Sequence, residues 1–168
     1  MSINMGIAQE YKGAIGLRFG YGWGLSGKYF FNSNGYGKSS GHAIEGLLRY
    51  GYHGVVFTKP GINISALYEK HWMLSRDERW SFLLGGGLSL GYGNKSTTNI
   101  FAFGIDPILG VDVLLRKFPI NFTFDYKPTI YFDKYIRNNS IKVKPSVSYY
   151  EIALSVRYAF TGKSYRRR

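Results

Sequence analysis

The sequence of 168 residues contains no cysteine, only 5 prolines and only 10 acidic residues. Without cysteine, disulfide bonds and thiolate metal sites are excluded. No stretch approaches the roughly 18 consecutive apolar residues of a transmembrane helix, which excludes that mode of membrane insertion. The acids are outnumbered by 22 Lys and Arg, and the net charge of +12 is compatible either with simple solubility or with a phosphate-rich partner, a nucleic acid or an anionic membrane surface.

Aromatic residues and glycine are abundant. The chain has 15 Tyr, 12 Phe and 22 Gly, and its length suits a single domain. Aromatic side chains fit a pleated surface, whereas glycine serves turns and bulges. The composition therefore favours β-strands.

Large apolar residues alternate with small or polar ones along most of the chain. Between Tyr11 and Tyr21, for example, the odd positions are mainly apolar and the even positions are Lys, Ala, Gly and Arg. Such alternation predicts strands with one apolar face. The pattern recurs in the segments 11–21, 25–31, 43–57, 62–72, 80–92, 100–115, 119–132 and 147–160.

The apolar face is rich in aromatic residues near the predicted strand ends, as in the interfacial girdles of membrane barrels. These girdle candidates are Tyr11, Trp23, Tyr52, Trp72, Trp80, Tyr92 and Tyr158. A lumen of eight strands is too narrow for that face. We therefore predict an all-β fold, a closed antiparallel up-and-down transmembrane β-barrel of about eight strands over 10–160, with 1–9 a signal-peptide remnant or flexible N-terminus and 161–168 a basic tail.

The opposite face is predicted to fill a packed polar lumen with a network of charged residues. Its members are Arg18, Lys28, Glu45, Arg49, His53, Glu69, His71, Asp106, Asp112, Asp125, Lys127, Glu151 and Arg157. Five Lys and Arg against six acids leave this face nearly neutral, as burial of charge requires. The remaining positive charge is expected in loops, rims and tails.

Several segments carry a resemblance to a known family: Ala43–Gly46, Leu67–Glu69, Gly104–Asp112, Phe124–Pro128 and Ile152–Phe160. Over about 11–160 the chain resembles the small outer-membrane barrels of the OmpX/OmpA and opacity-protein kind, particularly those of Bacteroidota. The resemblance implies the Gram-negative outer membrane as location, periplasmic termini and insertion by the barrel-assembly machinery. Phe160 matches the aromatic residue that ends the family's last strand, although residues 161–168 follow it here.

The same analogy predicts outer loops and inner turns. The outer loops are expected near 20–24, 57–61, 93–99 and 133–145, and the inner turns near 32–42, 74–79 and 116–119. The last outer loop is a candidate anion-binding loop, because Lys134, Arg137, Lys142 and Lys144 cluster there. Two interpretations of these bases stay open: a simply solvated loop, or a loop that binds lipopolysaccharide phosphates or a polyanion on a host or neighbouring cell.

Catalysis is not predicted, although some small outer-membrane barrels modify lipid A with His, Ser and an acid. His42 lies in a predicted turn and is expected to be solvated, whereas His53 and His71 belong to the lumen face. Ser65 and Glu69 share that face, but no motif joins them to His71. We expect no catalytic residue, no metal and no cofactor.

The leading interpretation is a structural or surface-interaction barrel rather than a large-pore channel. Its expected partners are outer-membrane lipid, lipopolysaccharide and other envelope proteins, without nucleic acid. A lipid A-modifying enzyme, a narrow pore and a soluble basic barrel that binds nucleic acid remain alternatives.

Overall fold

The computed structural model describes residues 11–31, 40–51, 60–74, 80–95, 98–115, 118–137, 140–149 and 151–161. Within these ranges, no helix is long and apolar enough to cross a membrane. The strands are β1 (Tyr11–Gly20), β2 (Gly22–Phe31), β3 (Ser40–Gly51), β4 (Gly61–Met73), β5 (Trp80–Lys95), β6 (Thr98–Leu114), β7 (Ile120–Tyr126), β8 (Thr129–Arg137), β9 (Ser140–Ser148) and β10 (Ile152–Thr161).

Eight of these strands form a closed antiparallel barrel, as the alternation predicted. Each strand from β1 to β6 pairs with the next, so that the series ends at β7, and β10 closes the wall by pairing with both β7 and β1. Sequence neighbours are therefore spatial neighbours, which is the up-and-down arrangement. We call the end where β1 begins and β10 ends the termini end, and the opposite end the hairpin end.

The predicted single strand over 119–132 is wrong, because Lys127 and Pro128 divide it into β7 and β8. Both strands pair with β6, and the register on either side places Pro107 of β6 opposite Pro128. Proline has no backbone N–H, so neither residue can donate to the ladder at this level. The Lys127 N–H instead donates to the carbonyl oxygen of Glu151 at 2.8 Å.

The predicted loop at 133–145 is also wrong, because β8 and β9 form an antiparallel hairpin there. Ile136 pairs with Ile141, and Arg137 with Ser140. The strand predicted over 147–160 is correspondingly divided into β9 and β10. At the hairpin end β5, β6, β8 and β9 therefore form a four-stranded extension, in which β8 pairs with β6 beyond the end of β7.

The lumen is packed, but its content differs in part from the prediction of small and charged residues alone. Leu47, Leu67, Leu83 and Ile108 form a buried apolar cluster inside the barrel. A second cluster includes Phe30 and Leu114 at the termini end, and a third includes Tyr131 at the hairpin end. The prediction missed Leu47 and Leu83 because each stands beside a leucine on the outer face, which hides the alternation.

Glycine allows the strands to approach closely in β5. A Cβ atom at Gly87 would lie 2.0 Å from the carbonyl oxygen of Ala66, and one at Gly85 would lie 2.1 Å from that of Tyr68. Any side chain there would therefore displace the backbone of β4. The packing of the wall thus explains Gly85 and Gly87, whereas a Cβ atom at Gly86 would make only an ordinary contact, 3.6 Å from the carbonyl oxygen of Asp106.

Candidate functional site

The centre of the lumen near the termini end holds a cluster built on Lys28. Its Nζ lies 2.7 Å from Glu69 Oε2 and 3.4 Å from Glu45 Oε2. Arg157 forms a second ion pair with Glu45 through Oε1. These four side chains are supplied by β2, β3, β4 and β10, so the cluster joins strands across the barrel interior.

Asp112 extends this cluster toward β7. Its carboxylate accepts hydrogen bonds from Asn121 Nδ2 at 2.9 Å and from the Thr123 hydroxyl, and lies 4.0 Å from Lys28 Nζ. Arg157 donates to the Thr123 hydroxyl at 2.5 Å. Each charged group of the cluster lies within 4.0 Å of an opposite charge, and these ion pairs offset much of the cost of burial. Asp112 and Arg157 are also hydrogen-bonded, whereas the Lys28 ammonium contacts Glu69, Glu45 and Asp112 through ion pairs.

Arg18 and Asp125 form a separate ion pair between β1 and β7. The guanidinium binds both carboxylate oxygens, with 2.5 Å between Nη1 and Oδ2. Arg18 also donates to the Ser155 hydroxyl at 3.4 Å. A bidentate pair of this kind has a fixed geometry and positions the two strands relative to each other.

A third group of charges lies toward the hairpin end. Glu151 accepts from Arg49 Nη1 at 2.8 Å and lies 3.1 Å from Lys127 Nζ, which is also 3.1 Å from Asp106. Arg49 Nη2 donates to Asn63 Oδ1 at 3.0 Å. The void beside Arg18, Arg49 and Glu151 has about 10 Å³, which is room for about one water molecule.

The structure places twelve of the thirteen predicted network residues inside the barrel. All of these are buried except Arg49, whose side chain is 11% exposed. The twelve comprise five Lys and Arg, six acids and His71. The remaining one, His53, lies outside the described residues. Cross-strand partners such as Ser26, Asn121 and Thr123 were missed, because their polar side chains carry no charge signal in the sequence.

His71 lies between Ser81 and Glu69 in an arrangement that the sequence did not predict. Its Nδ1 is 3.3 Å from the Ser81 hydroxyl, and its Nε2 is 2.9 Å from Glu69 Oε2. A Ser–His–acid line resembles the hydrogen-bonding order of acyl-transfer sites. All three residues are 0% exposed, and the Phe30 ring packs 4.9 Å from the imidazole. The line therefore has no substrate access in this conformation.

His42 does not lie in a turn as predicted. It lies in β3, opposite Phe31 of β2 and Lys70 of β4, on the outer surface of the barrel. Its Nδ1 is 2.5 Å from the Tyr68 hydroxyl. Lys70 in turn lies over the Trp72 ring, with 5.1 Å from Nζ to the ring centroid. The sequence gives no signal for Lys70, because a single lysine among alternating apolar residues is not a motif.

The outer surface carries the predicted girdle residues that the structure describes. Trp23, Trp80, Tyr92 and Tyr158 are about half exposed, from 47% to 58%, and Trp72 is partly buried. Trp23 and Tyr92 lie near the hairpin end, and the others lie near the termini end. Tyr11 begins β1, and Tyr52 lies outside the described residues.

The four bases of the predicted anion-binding loop lie in the β8–β9 hairpin. In its ladder Lys142 pairs with Tyr135, Lys144 with Asp133, Lys134 with Val143 and Arg137 with Ser140. Each strand of the hairpin therefore carries two of the four bases.

Among the residues described, no group of three or more His, Asp or Glu is arranged to hold a metal ion. Comparison of the chain with models of protein families finds no match. Neither the curated proteins nor the solved structures include a match. The fold and the geometry of the chain itself are therefore the basis for a functional proposal.

Proposed function

We propose that the chain is an integral outer-membrane β-barrel with a structural or surface-interaction role. The observation that carries this proposal is the outer surface of the wall. Aliphatic residues such as Leu84, Leu88 and Leu90 of β5 are about half exposed, between Trp80 near one end of the strand and Tyr92 near the other. In water such a surface is costly, whereas in a bilayer it faces hydrocarbon and places the aromatic rings at the interfaces.

The spacing of the aromatic residues suits a bilayer. Trp80 and Tyr92 are twelve residues apart on β5. At ~3.3 Å per residue and a strand inclination of ~40°, this spacing corresponds to about 30 Å along the barrel axis. That is the thickness of the hydrocarbon region of a typical bilayer.

The filled interior supports a role other than a large-pore channel. Ion pairs and three apolar clusters occupy the lumen within the described residues. An ion-conducting path could open only if these groups moved aside. That movement would separate buried charges, at a cost of several kcal/mol for each ion pair. We therefore expect no open conductance.

The resemblance to OmpX/OmpA and opacity-type barrels extends the proposal to location and orientation. It supports a Gram-negative outer membrane, with the termini end facing the periplasm and the β8–β9 hairpin outside. In that orientation the hairpin meets lipopolysaccharide, and Lys142 and Lys144 lie two residues apart on β9. We propose these two residues as the contact with its phosphates, so that Lys142→Gln with Lys144→Gln weakens lipopolysaccharide binding more than Lys134→Gln does.

Depth-dependent fluorescence quenching tests insertion. The chain has 3 Trp, so one variant retains only Trp23 and a second retains only Trp80, with phenylalanine at the other two positions. After reconstitution in vesicles, lipids brominated near the headgroup should quench both single tryptophans more strongly than lipids brominated near the acyl terminus. Heat-modifiable mobility on a denaturing gel checks that each variant is folded.

Two results would refute the proposal. One is a protein that stays monodisperse in buffer without detergent and shows no quenching by brominated lipid. The other, which concerns the closed lumen alone, is steady single-channel current in a planar bilayer. The first would favour the soluble basic barrel, and the second would favour the narrow pore.

A lipid-modifying enzyme is the second candidate, favoured by the line Ser81–His71–Glu69. Such an enzyme would need Phe30 and its neighbours to move and admit an acyl ester to the Ser81 hydroxyl. Mass spectrometry of lipid A from cells with wild-type protein and with Ser81→Ala tests this function. Identical lipid A in both would exclude Ser81 as a nucleophile acting on lipid A.

A further inference from the structure

One charged residue interrupts the apolar outer surface of the wall. Among the outward positions described in β2 to β7 and β10, Lys70 alone carries a formal charge at neutral pH, and His42 is the only histidine. The two are direct cross-strand partners in β3 and β4. Directly opposed residues have Cβ atoms about 5 Å apart, so both side chains can contact one ligand.

Aromatic side chains surround this pair. The Tyr68 ring lies 5.8 Å from the His42 ring and 6.2 Å from the Phe31 ring, measured between centroids. Trp72 underlies the Lys70 ammonium. We call Phe31, His42, Tyr68, Lys70 and Trp72 the rim patch, because it lies near the termini end of the wall.

The rim patch offers hydrogen-bond donors to an anion. The Lys70 ammonium carries three N–H groups. If the Tyr68 hydroxyl donates to His42 Nδ1 across their 2.5 Å contact, the neutral imidazole has its hydrogen on Nε2 and donates there. Lysine, histidine and an aromatic rim at an interface are the chemistry that recognises a lipid phosphate.

An apolar groove begins four residues farther along the same two strands. Small residues Gly27, Gly46 and Ala66 are aligned across β2, β3 and β4, and a Cβ atom at either glycine would meet nothing within 4 Å. The groove has a volume of about 280 Å³. Its sides include Ile15, Leu25, Leu48 and Ile64. We call this depression the wall groove.

The distance between the rim patch and the wall groove fits one leaflet of a bilayer. His42 and Gly46 are four residues apart on β3, which corresponds to about 13 Å along the strand and, at the same inclination of ~40°, to about 10 Å along the barrel axis. One leaflet contributes about half of a hydrocarbon core of ~30 Å. A lipid with its phosphate at His42 therefore has its acyl chain at the depth of Gly46.

We propose that the rim patch and the wall groove together bind one anionic glycerophospholipid, with its phosphate at Lys70 and His42 and an acyl chain in the groove. The positive charge of Lys70 favours this occupant over a second copy of the chain, which would bring another Lys70 to a symmetric contact. The inference rests on the proposed membrane insertion. In the proposed orientation, the lipid belongs to the periplasmic leaflet.

Native mass spectrometry of the full chain in detergent micelles tests this site. The protein is mixed with equal amounts of phosphatidylglycerol and phosphatidylcholine that have the same acyl chains. We expect wild-type protein to retain phosphatidylglycerol about fivefold more than phosphatidylcholine, since one lysine near a lipid surface favours an anionic headgroup by that factor. Lys70→Gln should bring this ratio close to one, whereas Lys12→Gln removes an exposed lysine of the same barrel end and should leave it unchanged.

The groove is tested by adding bulk at Gly46. Gly46→Phe should lower the retention of both lipids, and Gly46→Leu is the smaller variant if the first folds poorly. Val111→Phe adds bulk to the outer surface of β6, opposite Phe82 of β5 and Phe124 of β7 and away from the groove, and serves as the matched control. Heat-modifiable mobility establishes that each variant is folded before its lipids are measured.

Three outcomes would overturn the inference. They are equal retention of both lipids by wild-type protein, equal ratios for Lys70→Gln and Lys12→Gln, and a dimer that Gly46→Phe abolishes while lipid retention stays constant. The last would assign the groove to a second copy. Failure of membrane insertion appears separately, in the tryptophan quenching measurement, whereas insertion without lipid preference refutes only the lipid site.

Discussion

Replacement of Arg18 by methionine removes one half of the ion pair that joins β1 to β7 inside the barrel. The guanidinium is 2% exposed and Asp125 is 1% exposed, so the remaining carboxylate would have little access to water. The contacts of the Arg18 nitrogens are the Asp125 carboxylate and the Ser155 hydroxyl. Asp125 would therefore lose its bidentate partner.

The expected destabilisation follows from the geometry. Two unit charges with ~4 Å between their centres interact by about 4 kcal/mol at an effective dielectric constant of ~20. Removal of one partner of a buried pair costs about 3–5 kcal/mol, because the other charge stays buried without compensation. We expect Arg18→Met to lower the free energy of unfolding by this amount. The double variant Arg18→Met with Asp125→Leu should recover most of the loss, since neither charge remains.

Urea unfolding in lipid vesicles measures these differences. The folded fraction is followed by heat-modifiable mobility without boiling, and the free energy is obtained by linear extrapolation to zero urea. Lys12→Met removes an exposed base at the barrel rim and should change the free energy of unfolding by less than ~0.5 kcal/mol.

A loss below ~1 kcal/mol for Arg18→Met would contradict this expectation, because the interior would then be hydrated enough to stabilise a lone carboxylate. A double variant that is as unstable as Arg18→Met would contradict it as well. In that case the volume of the side chain, and not its charge, would hold β1 against β7.

Three further predictions follow from the packing of the wall and lumen. Gly87→Val should prevent folding, because its Cβ would lie 2.0 Å from a backbone oxygen of β4, whereas Gly46→Val should fold. Equal yields of folded protein from the two variants would contradict this contrast. Leu83→Ala should lower the free energy of unfolding by about 2–5 kcal/mol through a cavity in the fully buried apolar cluster, and a loss below ~1 kcal/mol would show that the cluster collapses. Glu69→Gln should leave the barrel closed to ions, because Lys28 keeps its ion pairs with Glu45 and Asp112. Sustained current across a planar bilayer in that variant would show that Glu69 holds the lumen shut.

The alternation of side chains was enough to predict most of the wall. Every odd position from Ile15 to Phe19 lies outside the barrel, and Arg18 lies inside, because a strand turns successive residues to opposite faces. The same rule assigned the charged lumen face, including Glu45 and Arg157. These predictions depend only on local geometry.

Alternation failed where it is interrupted or masked. Pro128 separates β7 from β8 through a missing N–H, but that effect required Pro107 to stand opposite it on β6. Lys70 and His42 occupy outward positions in the alternation of their strands. From the sequence alone, polar residues at such positions could equally mean that the predicted strand is shifted by one residue. Their meaning comes from their pairing across β3 and β4.

The sequence by itself determined the class of fold and the sorting of side chains into an inner and an outer face, since both follow from the period of two along each strand. Only the tertiary structure decided which charges meet. Arg18 and Asp125 are 107 residues apart, and their contact depends on barrel closure and strand stagger. The alignment of Gly27, Gly46 and Ala66, four positions from the His42–Lys70 pair, likewise depends on register. Register is a relation between strands, and no single strand contains it.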